Sequence, residues 1–268
     1  MREGEPDDRY QVRAVSRALD LLAELGSATT PVDLTTLARR ADLPASTAFR
    51  LLETLRARGM VRIGRDGYQL GPAVFELGGA FLRTVSVWND APELAERLAS
   101  ELDESASVGI LDDGQVLYLA IAHGQSDTGM ASIPGTRHPA HATALGKVLL
   151  AALPWGDAEA ILERRPPVRL TENTFADPAS LHAELVRVAT QGYAVDAEER
   201  NPGITCYGAP IRDRTGAVVA AISASGTTFR MREHGAERII GAVTAAAREA
   251  SRRLGAPLHA TTITGGRP

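Results

Sequence analysis

Leu43-Pro44-Ala45-Ser46-Thr47-Ala48-Phe49-Arg50-Leu51-Leu52-Glu53-Thr54-Leu55 is the stretch whose reading decides the fold. Ala48, Leu51, Leu52 and Leu55 fall at i, i+3, i+4 and i+7, the spacing of one apolar helix face, and Gly59 closes the helix. With that face buried, a step of about 100° per residue turns Ser46, Arg50 and Glu53 outward, with Thr47 and Thr54 beside them. Upstream, the chain turns at Asp42-Leu43-Pro44 after a short helix carrying Leu37, Ala38 and Ala41, with Thr35 as its expected N-cap. An earlier helix carries Val15, Ala18, Leu19 and Leu22 as its expected buried stripe and stops at Gly26. Downstream, Met60-Val61-Arg62-Ile63 and Tyr68-Gln69-Leu70 flank Gly64-Arg65-Asp66-Gly67, a hairpin signal.

Helix, short helix, tight turn, helix and hairpin, in that order, predict a winged helix-turn-helix over residues 11–71. Its third helix is expected to enter the major groove of double-stranded DNA with its N-terminal residues leading. Ser46 and Thr47 offer short hydroxyls to phosphates or base edges, and Arg50 can grip a guanine with two hydrogen bonds. Arg65, at the wing tip, suits a phosphate or the minor groove. An arginine on an isolated amphipathic helix is more often a solvated charge, and Arg39, Arg40, Arg56 and Arg58 can each be read that way. The order of the elements is what argues for DNA.

Charge agrees. Residues 32–68 hold seven arginines against four acids, +3 locally, in a chain of net charge −4, so the remainder carries −7. The length of 268 residues with 44% hydrophobic content suffices for two cored domains. A single cysteine, Cys206, excludes an internal disulfide framework and fits a reducing compartment. The acidic N-terminus has no apolar core, so a secretory signal is not expected. No apolar run approaches the roughly 20 residues of a membrane span. A cytoplasmic protein without a cofactor is expected.

After Gly71-Pro72, Val74, Leu77, Phe81 and Val85 mark a linker helix over 72–89, a candidate for dimer contacts. Trp88-Asn89-Asp90 ends it, and a further helix runs from near Pro92 to about Glu104. Residues 90–255 then alternate short strands with helices. Ser107–Leu111 pairs with Gln115–Ala122, and Ile204–Arg212 with Ala217–Ser223. Helices are expected at 142–153, at Leu181–Gln191 stopped by Gly192, and along Ile239, Ile240, Val243, Ala247 and Leu254. Antiparallel hairpins with helices packed on them make an α+β domain. Residues 1–10 and 256–268 read as flexible ends.

Three stretches carry a family resemblance. They are Leu43 to Leu52 in the recognition helix, His141-Ala142-Thr143-Ala144-Leu145-Gly146-Lys147 with the apolar helix after it, and the run from Gly192-Tyr193 through Asp196, Glu198-Glu199 and Gly203-Ile204-Thr205-Cys206 to Ala220-Ala221-Ile222-Ser223-Ala224-Ser225-Gly226. In this order the chain resembles the IclR family of bacterial transcription regulators along nearly its whole length. The resemblance implies a GAF-like effector-binding domain, a homodimer or dimer of dimers, and control of DNA binding by a small molecule. Such regulators commonly govern catabolic or amino-acid operons and answer to small organic acids or aromatic compounds. By the same resemblance, Ala144 and Leu145 stand where backbone N–H groups meet the effector's carboxylate. Asp196, Cys206, Ser223 and Ser225 stand where side chains line the site. Where glycine and alanine can precede the Gly-Lys pair, this chain has Ala144 and Leu145, and the bulkier Leu145 is expected to narrow the pocket.

The residues themselves agree in part. Ser223 and Ser225, two apart on a strand, face one side, and hydroxyls with the amides of a helix start can hold a small anion. Asp196 fits least well, because a carboxylate repels an anion unless it is paired or protonated. Two rival readings stay open here. One is a thiol hydrolase built from Cys206 with His123, His138 or His141, or a metal at His138 and His141, although a further ligand set is missing. The other keeps the DNA-binding head and makes the second domain an oligomerisation module alone.

Overall fold

The computed structural model describes residues 11–125 and 133–257. The expected flexible segment 1–10, and the expected tail 256–268 beyond residue 257, lie outside the described residues. The chain divides into two units, Met1–Val85 and Ser86–Pro268.

In the first unit, α1 (Arg13–Ser27), α2 (Leu34–Arg40) and α3 (Ala45–Ala57) precede a hairpin of β1 (Val61–Gly64) and β2 (Gly67–Leu70), and α4 (Pro72–Leu82) follows. Their shared core is Leu21, Leu25, Val32, Leu37, Ala38, Leu43, Ala48, Leu52, Val61 and Tyr68. The turn between α2 and α3 is closed by the Leu43 N–H donating to the Ala38 carbonyl at 2.8 Å, with Asp42 in the left-handed region at φ 51°. Gly64 pairs with Gly67, which leaves Arg65-Asp66 as the hairpin tip. Gly67 sits at φ 133°, and a Cβ there would lie 2.5 Å from the Val32 carbonyl oxygen. The close approach exists because Val32 exchanges backbone hydrogen bonds with Tyr68 at 2.8 and 3.0 Å, a third strand contact on the wing.

Four local expectations are corrected. The N-cap of α2 is Asp33, whose carboxylate accepts from the Thr36 N–H at 3.0 Å, not Thr35. The Val32 bridge holds the chain extended up to Asp33, so the helix starts one residue after it. In α1 the buried pair is Leu21 and Leu25, whereas Val15 and Leu19 are 56% and 59% exposed. Ala18, Leu21, Leu22 and Leu25 form a second stripe with the same spacing, and packing selects that one. The helix also runs through Gly26 to Ser27. Finally, α4 stops at Leu82, so Val85 falls outside it, and none of its residues is buried within the unit.

The second unit is an antiparallel six-stranded sheet in the order β5-β4-β3-β8-β7-β6. Its strands are β3 (Ser105–Asp112), β4 (Gln115–Ala122), β5 (Arg137–Pro139), β6 (Ala194–Ala197), β7 (Ile204–Arg212) and β8 (Val218–Thr227). On one face lie α5 (Ala91–Leu102) and α10 (Ala236–Arg253), and on the other α6 (Ala144–Ala151), with α7 (Trp155–Arg164) and α8 (Pro178–Gln191) beside it. A short α9 (Thr228–His234) links β8 to α10. The expected α+β class is what is found. The helix expected at 142–153 is shorter, because Ala140–Ala142 forms a separate 3-10 turn before it. Gly146 permits that join: a Cβ there would lie 2.2 Å from the Ala140 carbonyl oxygen. The strand expected at Ala217–Ser223 continues to Thr227, which carries Ser225 into the sheet.

Candidate functional site

On α3 the structure places Ser46 and Arg50 fully at the surface and Thr47 half-buried, while Ala48 and Leu52 anchor the opposite face. The helix follows Pro44 with no side-chain cap; the Thr47 N–H donates to the Pro44 carbonyl at 2.9 Å, while the Ala45 and Ser46 amides have no helix carbonyl to pair with and suit a phosphate. Arg50 makes no side-chain hydrogen bond or ion pair among the described residues, although the Thr54 hydroxyl donates to its carbonyl at 2.9 Å. Arg56 is different: Glu53 holds it through contacts of 2.7 to 3.2 Å, and that guanidinium keeps the Glu53 carboxyl below its ordinary range. Arg65 is exposed at the hairpin tip. Phe49, 47% exposed beside Arg50, was not singled out from the sequence, although its place next to Ala48 on a helix edge could have marked it. An apolar side chain there suits a thymine methyl group.

In the second unit, Ala144, Leu145, Asp196, Cys206, Ser223 and Ser225 all line one cavity, between α6 and the sheet face beneath it. The register explains the convergence. Asp196 pairs with Cys206, Cys206 with Ser225, and Ser225 with Ser105, so four adjacent strands present one row of polar side chains. Ser223 pairs with Ser107 in a second row. The signal missed in the sequence is a repeated triplet: Ser105-Ala106-Ser107 and Ser223-Ala224-Ser225 run antiparallel and put four hydroxyls on one face. His123, named from the sequence as a possible partner of Cys206, lines the cavity too, and Thr143, Tyr118, Arg200 and Asn201, which come from separate loops and strands, were missed. Its volume is about 30 Å³, room for about two waters.

Above the serines, the Thr143 hydroxyl caps α6 by accepting from the Gly146 N–H at 3.1 Å. The amides of Ala144 and Leu145 belong to the first turn and have no carbonyl within the helix to pair with. Leu145 is buried to 1% and leans toward Gly109, where a Cβ would stand 3.4 Å from it. At Gly109, where β3 slips register against β4, a Cβ would crowd Val116 Cγ1 at 2.7 Å and the Leu117 carbonyl oxygen at 3.1 Å but would only touch Leu145.

Asp196 is held by two backbone N–H groups, which fix the carboxylate in place without removing its charge. Its Oδ1 accepts from the N–H of Glu199 at 2.7 Å and from that of Arg200 at 3.4 Å. Burial still outweighs those bonds and pushes the carboxyl up to about 6. Behind it, the fully buried Lys147 donates to Glu184 at 2.8 Å, to Glu199 at 2.5 Å and to the Val195 carbonyl at 2.6 Å. Burial raises the Glu199 carboxyl against the pull of that ammonium. Thr174 and Thr171 donate to the Glu199 carbonyl at 2.6 and 3.1 Å, and Glu198 accepts from Gly203 N–H at 2.8 Å. The turn over residues 196–203 is therefore held from several sides.

The alternative chemistries find little support in the geometry. Burial drives the Cys206 thiol far above its ordinary value, so it is a poor nucleophile. His123 lies 3.3 Å from the Ser105 hydroxyl. His141 contacts the Val168 carbonyl at 3.0 Å, and His138 stands edge-on to Tyr118 with burial pushing it down to about 4. Among the described residues, no three His, Cys, Asp or Glu side chains are placed to share a metal ion.

Comparison with known proteins follows the same division. Residues 14–63 match a family described as the IclR helix-turn-helix domain, and residues 79–252 match one described as the C-terminal domain of the bacterial transcriptional regulator IclR. The chain is 38% identical to the HTH-type transcriptional regulator BhcR of Paracoccus denitrificans, over 91% of this chain and 88% of that one. It is 30% identical to the HTH-type transcriptional repressor AllR of Escherichia coli, over 96% of both. A crystal structure of an IclR homolog from Microbacterium hydrocarbonoxydans, complexed with 4-hydroxybenzoate, is 26% identical, with a TM-score of 0.76 over 90% of this chain and 98% of that one.

Proposed function

Because the chain belongs to the IclR family of bacterial transcription regulators, we propose that it is a cytoplasmic repressor of a catabolic or metabolic operon, controlled by a small organic or aromatic acid. The observation that carries this reading is the convergence of Ala144, Leu145, Asp196, Cys206, Ser223 and Ser225 on one cavity. First-turn amides and hydroxyls there suit a small anion. A relative named as a repressor and a homolog crystallised with an aromatic acid point the same way. On the DNA side, Ser46, Thr47 and Arg50 read the major groove and Arg65 contacts the backbone or minor groove. A homodimer, or a dimer of dimers, sets two recognition helices on a pseudo-palindromic operator. Effector binding changes DNA affinity because the ligand prefers one of two subunit arrangements.

The test is fluorescence anisotropy on the DNA upstream of the protein's own gene, with an unrelated duplex as control and a salt series. Wild type is expected to prefer the upstream DNA, and Arg50→Ala is expected to lose that preference by roughly ten- to hundredfold. Equal and steeply salt-dependent binding to both duplexes would mean phosphate attraction alone and would count against sequence reading at this site. If no carboxylate, aromatic acid, sugar or amino acid raises the melting temperature, the second unit is an oligomerisation module instead.

A further inference from the structure

The lining of the cavity carries two further features, a set of serine hydroxyls and an arginine. Ser107 and Ser223 are 6% and 3% exposed, and among the described residues their hydroxyls make no hydrogen bond. The two residues pair across β3 and β8 in the wall of the cavity, where a ligand's hydroxyls can reach them. Ser105 and Ser225 extend the same surface by one row. At the other end stands Arg200. Its backbone N–H is held by Asp196, inside the braced turn over residues 196–203. Its guanidinium lines the cavity and makes no hydrogen bond or ion pair among the described residues. Lys147, the other cation that acts on Asp196, is spent on Glu184 and Glu199.

A bound carboxylate would share this small space with Asp196, so it needs a positive counter-charge. Arg200 is the arginine or lysine that lines the cavity, and a planar guanidinium can hold a carboxylate with two bonds. A row of serines has no use for an aromatic ring but pairs readily with the hydroxyls of an aliphatic chain. A cavity of about 30 Å³ must widen for any acid, and a short acid widens it least.

We infer that the pocket selects a short hydroxylated carboxylic acid, its carboxylate held between Arg200 and the first-turn amides of Ala144 and Leu145, and its hydroxyls by the two Ser-Ala-Ser triplets. This inference rests on the effector reading above and makes it more specific. Arg200 is a specificity-determining residue here, and Asp196 is the positioning residue that presents it.

Calorimetric titration of the full chain tests this with lactate, glycerate, malate and tartrate, with lactamide and glycerol as uncharged counterparts and 4-hydroxybenzoate as an aromatic one. At least one hydroxy acid is expected to bind wild type, the uncharged compounds are not, and Arg200→Gln is expected to weaken binding roughly ten- to hundredfold. Arg200→Lys is expected to fall between. Operator affinity without ligand, together with the melting temperature, reports that the variants are folded. Unchanged affinity in folded Arg200→Gln overturns the anchor while leaving the effector reading intact. Binding of 4-hydroxybenzoate in preference to every hydroxy acid, or binding of none of the hydroxy acids, overturns the ligand class. The broader failure, of the effector reading itself, shows separately as DNA affinity that no ligand changes.

Discussion

At the scale of single residues, Asp196 is a buried carboxylate that closes a turn in the wall of the cavity. Its Oδ1 closes the turn onto Glu199 and Arg200, and burial holds its carboxyl at about 6. An acid that keeps its proton more tightly when folded makes the folded state less stable as pH rises, from the unfolded value of about 4 until pH passes the folded one. Wild type is therefore expected to lose stability relative to Asp196→Asn, by about 1 kcal/mol between pH 5 and pH 8. The asparagine keeps an oxygen for the turn but cannot ionise. His138, lowered by burial to about 4, pushes stability the opposite way, so the readout is the wild-type minus variant difference in urea midpoints at each pH. A constant difference would mean that Asp196 is already ionised at pH 5 in the folded protein.

At the scale of elements, α1 and α4 each leave an apolar surface without a partner inside their own unit. Val15 and Leu19 on α1 are 56% and 59% exposed, and Phe75, Leu77 and Phe81 on α4 are 83%, 58% and 46% exposed. Scattered exposed apolar residues are ordinary, but concentration on two helices of one small unit is what a subunit interface needs. Phe75→Glu is expected to shift the sedimentation profile from dimer toward monomer at micromolar concentration and to weaken operator binding in parallel. An unchanged profile would remove α4 from the interface. Much at this scale was legible in the sequence: β4 and β7 have the bounds that alternation and turn residues predict, and α3 has its predicted face. What was not legible were β5, β6, α7 and α9. The longest, α7, has 10 residues and buries only Ala158, so no apolar stripe marks it. The stripe of α1 was misread because two stripes of equal spacing share the helix.

At the scale of the whole molecule, a regulator with unlike units must obey linkage. If an effector changes operator affinity by some factor, operator binding must change effector affinity by the same factor, commonly about 5- to 150-fold. Titrating the ligand that raises the melting temperature into free protein, and into protein saturated with operator duplex, is expected to give affinities differing by the factor seen in the DNA experiment. Equal ligand affinities alongside altered DNA binding would violate linkage and would mean that the ligand acts on the DNA or on assembly instead.

The sequence by itself determined the elements that local rules govern: the helix-turn-helix and its wing, the α+β class, and the outward face carrying Ser46 and Arg50. Each rests on periodicity or turn chemistry within a dozen residues. It also marked six pocket positions by family resemblance, without saying why they belong together. Tertiary structure decided the rest. The register across β6, β7, β8 and β3 joins Asp196, Cys206, Ser225 and Ser105, residues up to 120 positions apart, and no local pattern encodes a register. Burial turned Lys147, Glu184 and Glu199 into one ion cluster, and the turn that Asp196 caps brought Arg200 to the cavity. Hydrogen bonds and burial join residues by distance in space, and spacing along the chain carries that information only where the fold is local.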